Sequence, residues 1–376
     1  MFREFKSPTW HIPLPWLTGE NAKDASLWRE HMVNRVEMGA RFMTHKTTDY
    51  PWSSWLRLQG VILVSLTFGA WVVSGIICVL LLLFGSTPMR VAIVTYFAMG
   101  KIAGQQPFNQ SAYDYVGSLE AGATNGWRLL VLDDKAKASP MDKQSNTIDC
   151  SKKPHLFCSH PHGLFCAGVS LNVIHSKKAL TLFKAKRIRL MVHFLLVNAF
   201  PLIKDWLRAL GQMPCDRKTC TRLLKSGESC AIVPGGVREV VWSGRVDKEH
   251  LYLSDVYGFI KLAIQCGTPL VPVYTFGESL SMGPDWVPLF KLRRKISYYL
   301  NAPIRFLSIT QRWCMPFPNG RLVTVVGLPI DPGVVESEPS RDRVKELHGK
   351  YVESLLKMIE DTKEEAGYPM QVTVVV

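Results

Sequence analysis

No C-x-x-C pair occurs among the nine cysteines of this 376-residue chain, and their number is odd. That excludes a disulfide-stapled secreted framework and reads as reduced thiols facing the cytosol. No G-x-S-x-G run is present: Gly277-Glu278-Ser279-Leu280-Ser281 lacks the final glycine, which sets aside a serine nucleophile on a strand–helix elbow. Zinc-finger spacing and aromatic–basic RNA-binding runs are missing too, so no nucleic-acid partner is expected. The N-terminal stretch has no basic segment leading into an apolar core, which argues against a cleaved signal peptide. Internal repeats are not visible. One further absence is the strongest physical signal in the chain: no charged residue lies between Gly60 and Phe84, a run of 25 positions. At about 1.5 Å per helical residue such a run can cross a hydrocarbon core of ~30 Å.

What is present frames that run. Hydrophobic residues make up 47% of the chain and charged residues 20%, as in a globular protein carrying an added membrane segment. The formal charge is +14, and only eight Lys/Arg against six Asp/Glu precede residue 60, so the basic excess belongs to the remainder. An anionic membrane surface or a polyphosphate such as coenzyme A would explain it. Trp52 and Trp55 stand just ahead of the apolar run, where a membrane interface favours tryptophan. Gly85-Ser86-Thr87-Pro88 breaks the run, and Val91 to Gly100 forms a second leg too short to span alone. Arg57 and Arg90 bracket the run on both sides, so charge leaves hairpin and single-span topologies open.

Five segments follow from these patterns: 1–55, a Trp- and Pro-rich cytosolic stretch with a helix at Trp28–His45; 56–104, a membrane anchor or hairpin; 105–152, an exposed insertion; 153–335, a catalytic core; and 336–376, a C-terminal helix and tail. Within the core, His155–Cys158, Ala231–Val233, Leu270–Tyr274 and Leu322–Val326 read as short buried strands. Helical stretches are expected at Leu164–His175, Ile188–Leu210, Cys220–Leu224 and Val256–Cys266. Strands alternating with helices predict an α/β fold, a mostly parallel sheet with flanking helices, preceded by an N-terminal membrane hairpin. Arg341 to Ala366 predicts one long amphipathic helix, with Val344, Leu347, Tyr351, Leu355, Met358 and Ile359 on its packing side.

The chemistry-bearing stretch is Cys158-Ser159-His160-Pro161-His162-Gly163 at the end of the first core strand. Read blandly, it is a polar Pro-Gly turn. His155, Cys158, His160, His162 and Cys166 offer five metal-ligand types within twelve residues, but no second ligand cluster of matching spacing exists, so no metal is expected. Cys158 as nucleophile is disfavoured, since a buried apolar cysteine is usually inert. General-base catalysis remains: an imidazole takes a proton from an alcohol attacking an activated carbonyl, and Gly163 at a turn into a helix offers an N–H to the oxyanion. Three later turns would complete such a site. Gly211-Gln212-Met213-Pro214-Cys215-Asp216-Arg217 delivers an arginine; Val233-Pro234-Gly235-Gly236-Val237-Arg238-Glu239 delivers paired glycines, an arginine and a carboxylate; Val271 to Phe276-Gly277-Glu278 ends in a glycine and a glutamate. Each alone could be an ordinary strand-end turn.

Taken together and in this order, His160-Pro161-His162-Gly163, Gly235-Gly236 with Glu239, Gly258-Phe259-Ile260-Lys261-Leu262-Ala263, Leu270-Val271-Pro272-Val273 with Phe276-Gly277-Glu278, and Thr324 to Ile330 resemble the diacylglycerol acyltransferase type-2 family, over roughly residues 153 to 332. That family is similar in turn to glycerolipid acyltransferases of the soluble α/β type. The resemblance implies acyl transfer from acyl-coenzyme A, a co-substrate rather than a cofactor, to the free hydroxyl of diacylglycerol. The setting implied is the endoplasmic reticulum membrane or a lipid droplet, with the core cytosolic. It implies a base at His160 or His162, oxyanion donors at Gly163 and the Gly235-Gly236 turn, and Glu239 orienting the imidazole. Substrate contacts are implied at Pro161, Arg217, Arg238, Phe259, Lys261, Phe276, Gly277 and Glu278, with the cations meeting coenzyme A phosphates. Gly235 stands where a phospho-acceptor enzyme carries glutamate, which favours an uncharged acceptor. Val256-Tyr257 stand where the family usually has a cation. Monoacylglycerol and long-chain alcohols stay open as acceptors, as do a non-catalytic lipid-binding role and the oligomeric state.

Overall fold

The computed structural model describes residues 77–102, 108–114, 116, 128–132, 148–163, 166–198, 203–242, 248–280, 322–368 and 372–375, with scattered helical positions between 292 and 299. The expectations for residues 1–55 and for the apolar run up to residue 76 lie outside the described residues. The named elements are α1 (Thr87–Ile102), β1 (Arg128–Val131), β2 (Leu156–His160), a π-helical turn (Val169–Ile174), α2 (Lys177–Leu182), β3 (Ile188–Val192), α3 (Phe194–Asn198), α4 (Ile203–Ala209) and β4 (Met213–Pro214). There follow α5 (Arg217–Lys225), β5 (Ser229–Ile232), α6 (Gly236–Trp242), β6 (Lys248–Leu251), α7 (Gly258–Cys266), β7 (Leu270–Phe276), β8 (Val323–Val326), α8 (Arg341–Ala366) and β9 (Val372–Val375).

Among the described residues, seven strands form one sheet in the order β1-β8-β7-β2-β5-β3-β4. Every pairing in it is parallel except β7 with β8. The mixed α/β, mostly parallel architecture read from the alternation is therefore observed. The central strands are apolar on both sides, as a sheet covered on both faces requires. Along β2, Leu156 and Cys158 enter one core with residues of α5, α7 and α8, while Phe157 enters the opposite core with residues of the π-helical turn, α2 and β3. This period of two decides which neighbour each functional side chain meets.

Several boundaries differ from expectation. Ile188–Leu210 is not one helix: Ile188–Val192 pairs with both β4 and β5, and two short helices follow. Ile188–Val192 is too short for its pattern to separate strand from helix, so the open sheet positions beside β5 decided it, and Pro201 disfavours a continuous helix. The helix after the histidine stretch spans residues 167–174 and is π-wound from Val169. Arg128–Val131, inside the stretch expected as an exposed insertion, pairs in parallel with β8. The strand His155–Cys158 begins at Leu156 and continues to His160, which puts that imidazole in the sheet rather than in the turn. Helix α8 matches its expected limits, capped by the Ser340 hydroxyl on the Arg343 amide and closed by Gly367 in the left-handed conformation. All six residues of its expected packing side are buried.

Residues 77–84 and α1 form two helical legs around Gly85 and Ser86, with Leu83, Phe84, Val91, Val94 and Met99 exposed, Phe84 to 80%. The Tyr96 hydroxyl donates to Asp205 Oδ2 at 2.6 Å, and Lys204 Nζ lies 4.1 Å from the Tyr96 ring centre, which docks α1 onto α4. No described helix is long and apolar enough to cross a membrane.

Candidate active site

Open parallel sheets bind ligands beyond the carboxyl ends of their strands, where neighbouring strands send their connections in opposite directions. β2 and β5 are such neighbours: the chain leaves β2 towards β3 and leaves β5 towards β7. The His160-Pro161-His162-Gly163 stretch follows β2 and the Pro234-Gly235-Gly236 turn follows β5, so the two segments singled out in the sequence meet at this crevice.

His160 shares its face of β2 with Leu156 and Cys158, and it therefore points at α8. Its Nε2 lies 3.0 Å from the Tyr351 hydroxyl, while Glu239 Oε1 lies 3.5 Å from Nδ1. All three side chains are fully buried. The Tyr351 hydroxyl donates its one proton to the Cys158 carbonyl oxygen at 3.3 Å, so towards His160 it accepts from Nε2–H. With one nitrogen against a carboxylate and the other held by a tyrosine, His160 has no free nitrogen for a substrate. Tyr351 was legible in the sequence only as one apolar position of the α8 stripe; its partner, 191 residues away, was not.

Glu239 is the junction of the site. Its Oε2 accepts the His162 backbone N–H at 2.8 Å and its Oε1 accepts the Tyr252 backbone N–H at 3.2 Å. Gly235 is what lets the carboxylate fold back beneath the turn, since a Cβ there would lie 2.6 Å from Glu239 Cδ. His162 is thereby fixed at its backbone while its side chain stays half-buried. Its Nδ1 is 3.2 Å from the Gly163 carbonyl oxygen, an atom that can only accept. Nδ1 therefore carries the proton, and Nε2 carries the lone pair. Burial pushes the His162 imidazole below its ordinary value, against the opposing pull of Glu239, so the ring is neutral at physiological pH.

The glutamate expected among the substrate contacts, Glu278, does other work. It is buried and accepts the amides of Ala167 at 2.8 Å and Gly168 at 2.7 Å, capping the helix that follows the histidines. Burial pushes its carboxyl up to about 7 despite those two donors. Gly163 adopts φ +55°, and a Cβ there would lie 2.7 Å from Glu278 Cγ. The loop thus rests on two carboxylates: Glu239 holds the His162 amide and Glu278 lies under Gly163. Cys166 completes the enclosure, its thiol donating to the His162 carbonyl oxygen at 3.3 Å.

The remaining sequence candidates divide. Pro161 is buried between the two histidines. Arg238 is exposed beside the Glu239 junction, stacked 4.9 Å over the Tyr252 ring. Lys261 is exposed on α7 and Gly277 turns the chain out of β7 at φ +83°. Phe259 and Phe276 are core residues instead of substrate contacts. Phe259 meets the Tyr351 ring at 5.0 Å and Phe276 stacks on Tyr368 at 5.6 Å, because the apolar faces of α7 and β7 are what α8 covers. Arg217 is exposed at the start of α5 and donates to Gln265 of α7 at 2.8 Å. The Gly236 amide, expected as an oxyanion donor, donates to the Val233 carbonyl at 3.1 Å and closes its own turn. No group of three metal-ligating side chains occurs among the described residues.

The arrangement is a neutral, partly buried imidazole whose Nε2 lies 3.9 Å from the Cys166 sulfur, backed by two buried carboxylates, at the carboxyl edge of a parallel sheet. That suits proton abstraction from an alcohol. The family model described as diacylglycerol acyltransferase matches residues 140–376. The chain is 32% identical over 228 residues to diacylglycerol O-acyltransferase 2 of Dictyostelium discoideum, covering 56% of this chain and 67% of that protein. It is 34% identical over 249 residues to diacylglycerol O-acyltransferase 1 of Saccharomyces cerevisiae, covering 60% and 57%. It is 31% identical over 228 residues to human 2-acylglycerol O-acyltransferase 3, covering 56% and 65%. The chain thus aligns with about three-fifths to two-thirds of the length of these relatives. No solved structure matches it. The match takes in the whole of the sheet from β2 onward, both carboxylates and both histidines, and on it the chain belongs to the diacylglycerol acyltransferase family.

Proposed function

We propose that the chain transfers a fatty acyl group from acyl-coenzyme A to the free hydroxyl of diacylglycerol, forming triacylglycerol, with His162 Nε2 as general base and no acyl-enzyme. The observation that supports this most is the His162 ring: Nδ1 sits against the Gly163 carbonyl at 3.2 Å, which leaves Nε2 unprotonated. Nε2 takes the acceptor's hydroxyl proton as that oxygen attacks the thioester carbonyl carbon. The tetrahedral oxyanion collapses, the carbon–sulfur bond breaks, and the coenzyme A thiolate takes the proton back from the imidazolium. The Gly163 N–H is the oxyanion donor in this reading. His160, with Glu239 and Tyr351, is a positioning residue that sets the loop's start. Arg238 and Lys261, both exposed, meet coenzyme A phosphates.

In the same reading the apolar legs around Gly85 sit in the bilayer of the endoplasmic reticulum or on a droplet surface, and the 153–335 core works on lipid beside it. The exposed apolar side chains of residues 77–84 and α1 support this. A monoacylglycerol acceptor is the second reading, favoured by the similarity to human 2-acylglycerol O-acyltransferase 3.

Membranes carrying the chain, given labelled oleoyl-coenzyme A with diacylglycerol, monoacylglycerol, hexadecanol or lysophospholipid, test the acceptor. Triacylglycerol is expected; another ester forming in its absence overturns the assignment. His162→Gln should lower kcat by about 10²-fold or more, and His160→Gln by less. Full activity in His162→Gln removes the base from His162.

A further inference from the structure

Glu249 is a buried carboxylate that no step of the acyl transfer uses. It stands on β6, where alternation puts it on the same face as Leu251 and, just beyond the strand, Leu253. Both leucines are fully buried in the core that α5, α7 and α8 share. A strand serving only to pack that core would carry an aliphatic residue at 249, because a carboxylate taken out of water is costly unless donors meet it. What meets it is Ser279, whose buried hydroxyl donates to Glu249 Oε1 at 2.7 Å. Ser279 follows Glu278 in the turn that leaves β7, and Glu278 is the carboxylate that caps the helix at Ala167 and Gly168 and lies under Gly163. Three residues after Glu249, the Tyr252 amide donates to Glu239 Oε1 at 3.2 Å, and Glu239 holds the His162 amide. The short segment from Glu249 to Tyr252 is therefore tied to both carboxylates beneath the histidine loop. The Tyr252 hydroxyl also accepts a hydrogen bond from Arg238.

This segment has no place in the seven-stranded sheet. Among the described residues its strand partner is β9, in parallel register from Lys248 beside Val372 to Leu251 beside Val375. Four residue pairs are marginal by themselves, so the ribbon is held by the burial of Leu251 and Leu253 and by Val375 packed on the same core. We propose that Glu249 is a positioning residue for the acyl transfer: on a ribbon that β9 keeps in register, its bond from Ser279 fixes the Glu278 turn against the Glu239 junction and so sets where His162 stands. Without that bond the turn is free to shift relative to Glu239, and the loop between the two carboxylates shifts with it. A general base displaced by a fraction of an ångström loses rate and leaves donor binding alone.

The full chain in detergent micelles, given labelled oleoyl-coenzyme A and the acceptor the parent esterifies, tests this by kcat and KM at varied donor. Ser279→Ala and Glu249→Leu should each lower kcat about tenfold, with KM for oleoyl-coenzyme A within about twofold of the parent. The double variant should be no worse than the poorer single one, since both remove the same bond. Glu249→Gln keeps an acceptor oxygen for the Ser279 hydroxyl and should stay within about threefold of the parent. A chain stopped at Met370, which lacks β9, should lose kcat in the same way. Where Glu249→Leu or the shortened chain fails to fold, Ser279→Ala, the smaller change, carries the test. Parental kcat in Ser279→Ala overturns the proposal, as does a loss in Glu249→Gln equal to that in Glu249→Leu, or a loss confined to KM. The inference rests on His162 as base, so His162→Gln is run alongside. Failure of that reading shows as an active His162→Gln; failure of this one shows as an active Ser279→Ala beside an inactive His162→Gln.

Discussion

Replacing Glu239 with glutamine changes one atom and no volume, which makes it a sharp probe of the site's construction. Two effects oppose each other. A buried carboxylate is costly to desolvate, and neutralising it relieves that cost. Against this, both groups hydrogen-bonded to the carboxyl are donors: the His162 amide at 2.8 Å and the Tyr252 amide at 3.2 Å. A glutamine offers one acceptor oxygen and presents an NH₂ to whatever faces the other side. At least one charge-assisted bond, worth about 1.5–3 kcal/mol, is lost, and one buried amide is left against a donor. The donors win, and a net loss of about 2–3 kcal/mol is expected. At roughly 2–4 °C per kcal/mol for a domain of this size, Tm should fall by about 4–12 °C. The His162 amide is one of the losers, so kcat should fall about tenfold or more, with KM for acyl-coenzyme A little changed. Thermal melts of the detergent-solubilised protein and initial rates at varied donor concentration measure both. A Glu239→Gln protein with parental Tm and parental kcat would refute the junction role.

Three further outcomes follow from the same geometry. If His162 is the base, the acid limb of kcat/KM against pH falls below the ordinary imidazole value, since burial lowers this ring; activity is lost as pH drops through that lowered value, and a limb above 6.5 would count against it. Glu278 is raised from 4.5 to about 7, so its contribution to stability is complete below 4.5 and is lost as pH rises to about 7. The change is on the order of 3 kcal/mol, and Glu278→Gln should flatten that slope in denaturant titrations at pH 5 and 7.5. Gly163→Ala should cost about 1–3 kcal/mol and most of the activity, because it combines φ +55° with a Cβ 2.7 Å from Glu278 Cγ; a fully active alanine variant would show that the loop has room to move.

How much of this the chain disclosed unfolded can be judged residue by residue. Helix α8 was legible to its ends because 26 residues of 3.6-period apolar spacing, an N-cap serine and a C-terminal glycine agree locally. β2, β5, β7 and β8 were legible as short apolar runs between turns, and the histidine stretch as a strand tip. β3 was not, since Ile188–Val192 is too short for its pattern to separate strand from helix, and its state was decided by the neighbours it pairs with. Phe259, Phe276 and Glu278 were misjudged for a related reason: residue type at a turn does not reveal which side of the backbone faces a cavity.

Local sequence therefore determined most of the elements, the order of the polar turns and the presence of two imidazoles beside a glycine. Only the tertiary structure decided what each imidazole does. Alternation on β2 turns His160 into the interior, where Tyr351 and Glu239, both far along the chain, occupy its surroundings. His162 lies beyond the strand, tethered by its backbone amide, with Nδ1 against a carbonyl and Nε2 beside the Cys166 sulfur. The physical reason is that a proton's position on a histidine is set by partners, and partners separated by 77 and 191 residues exist only once the sheet has formed.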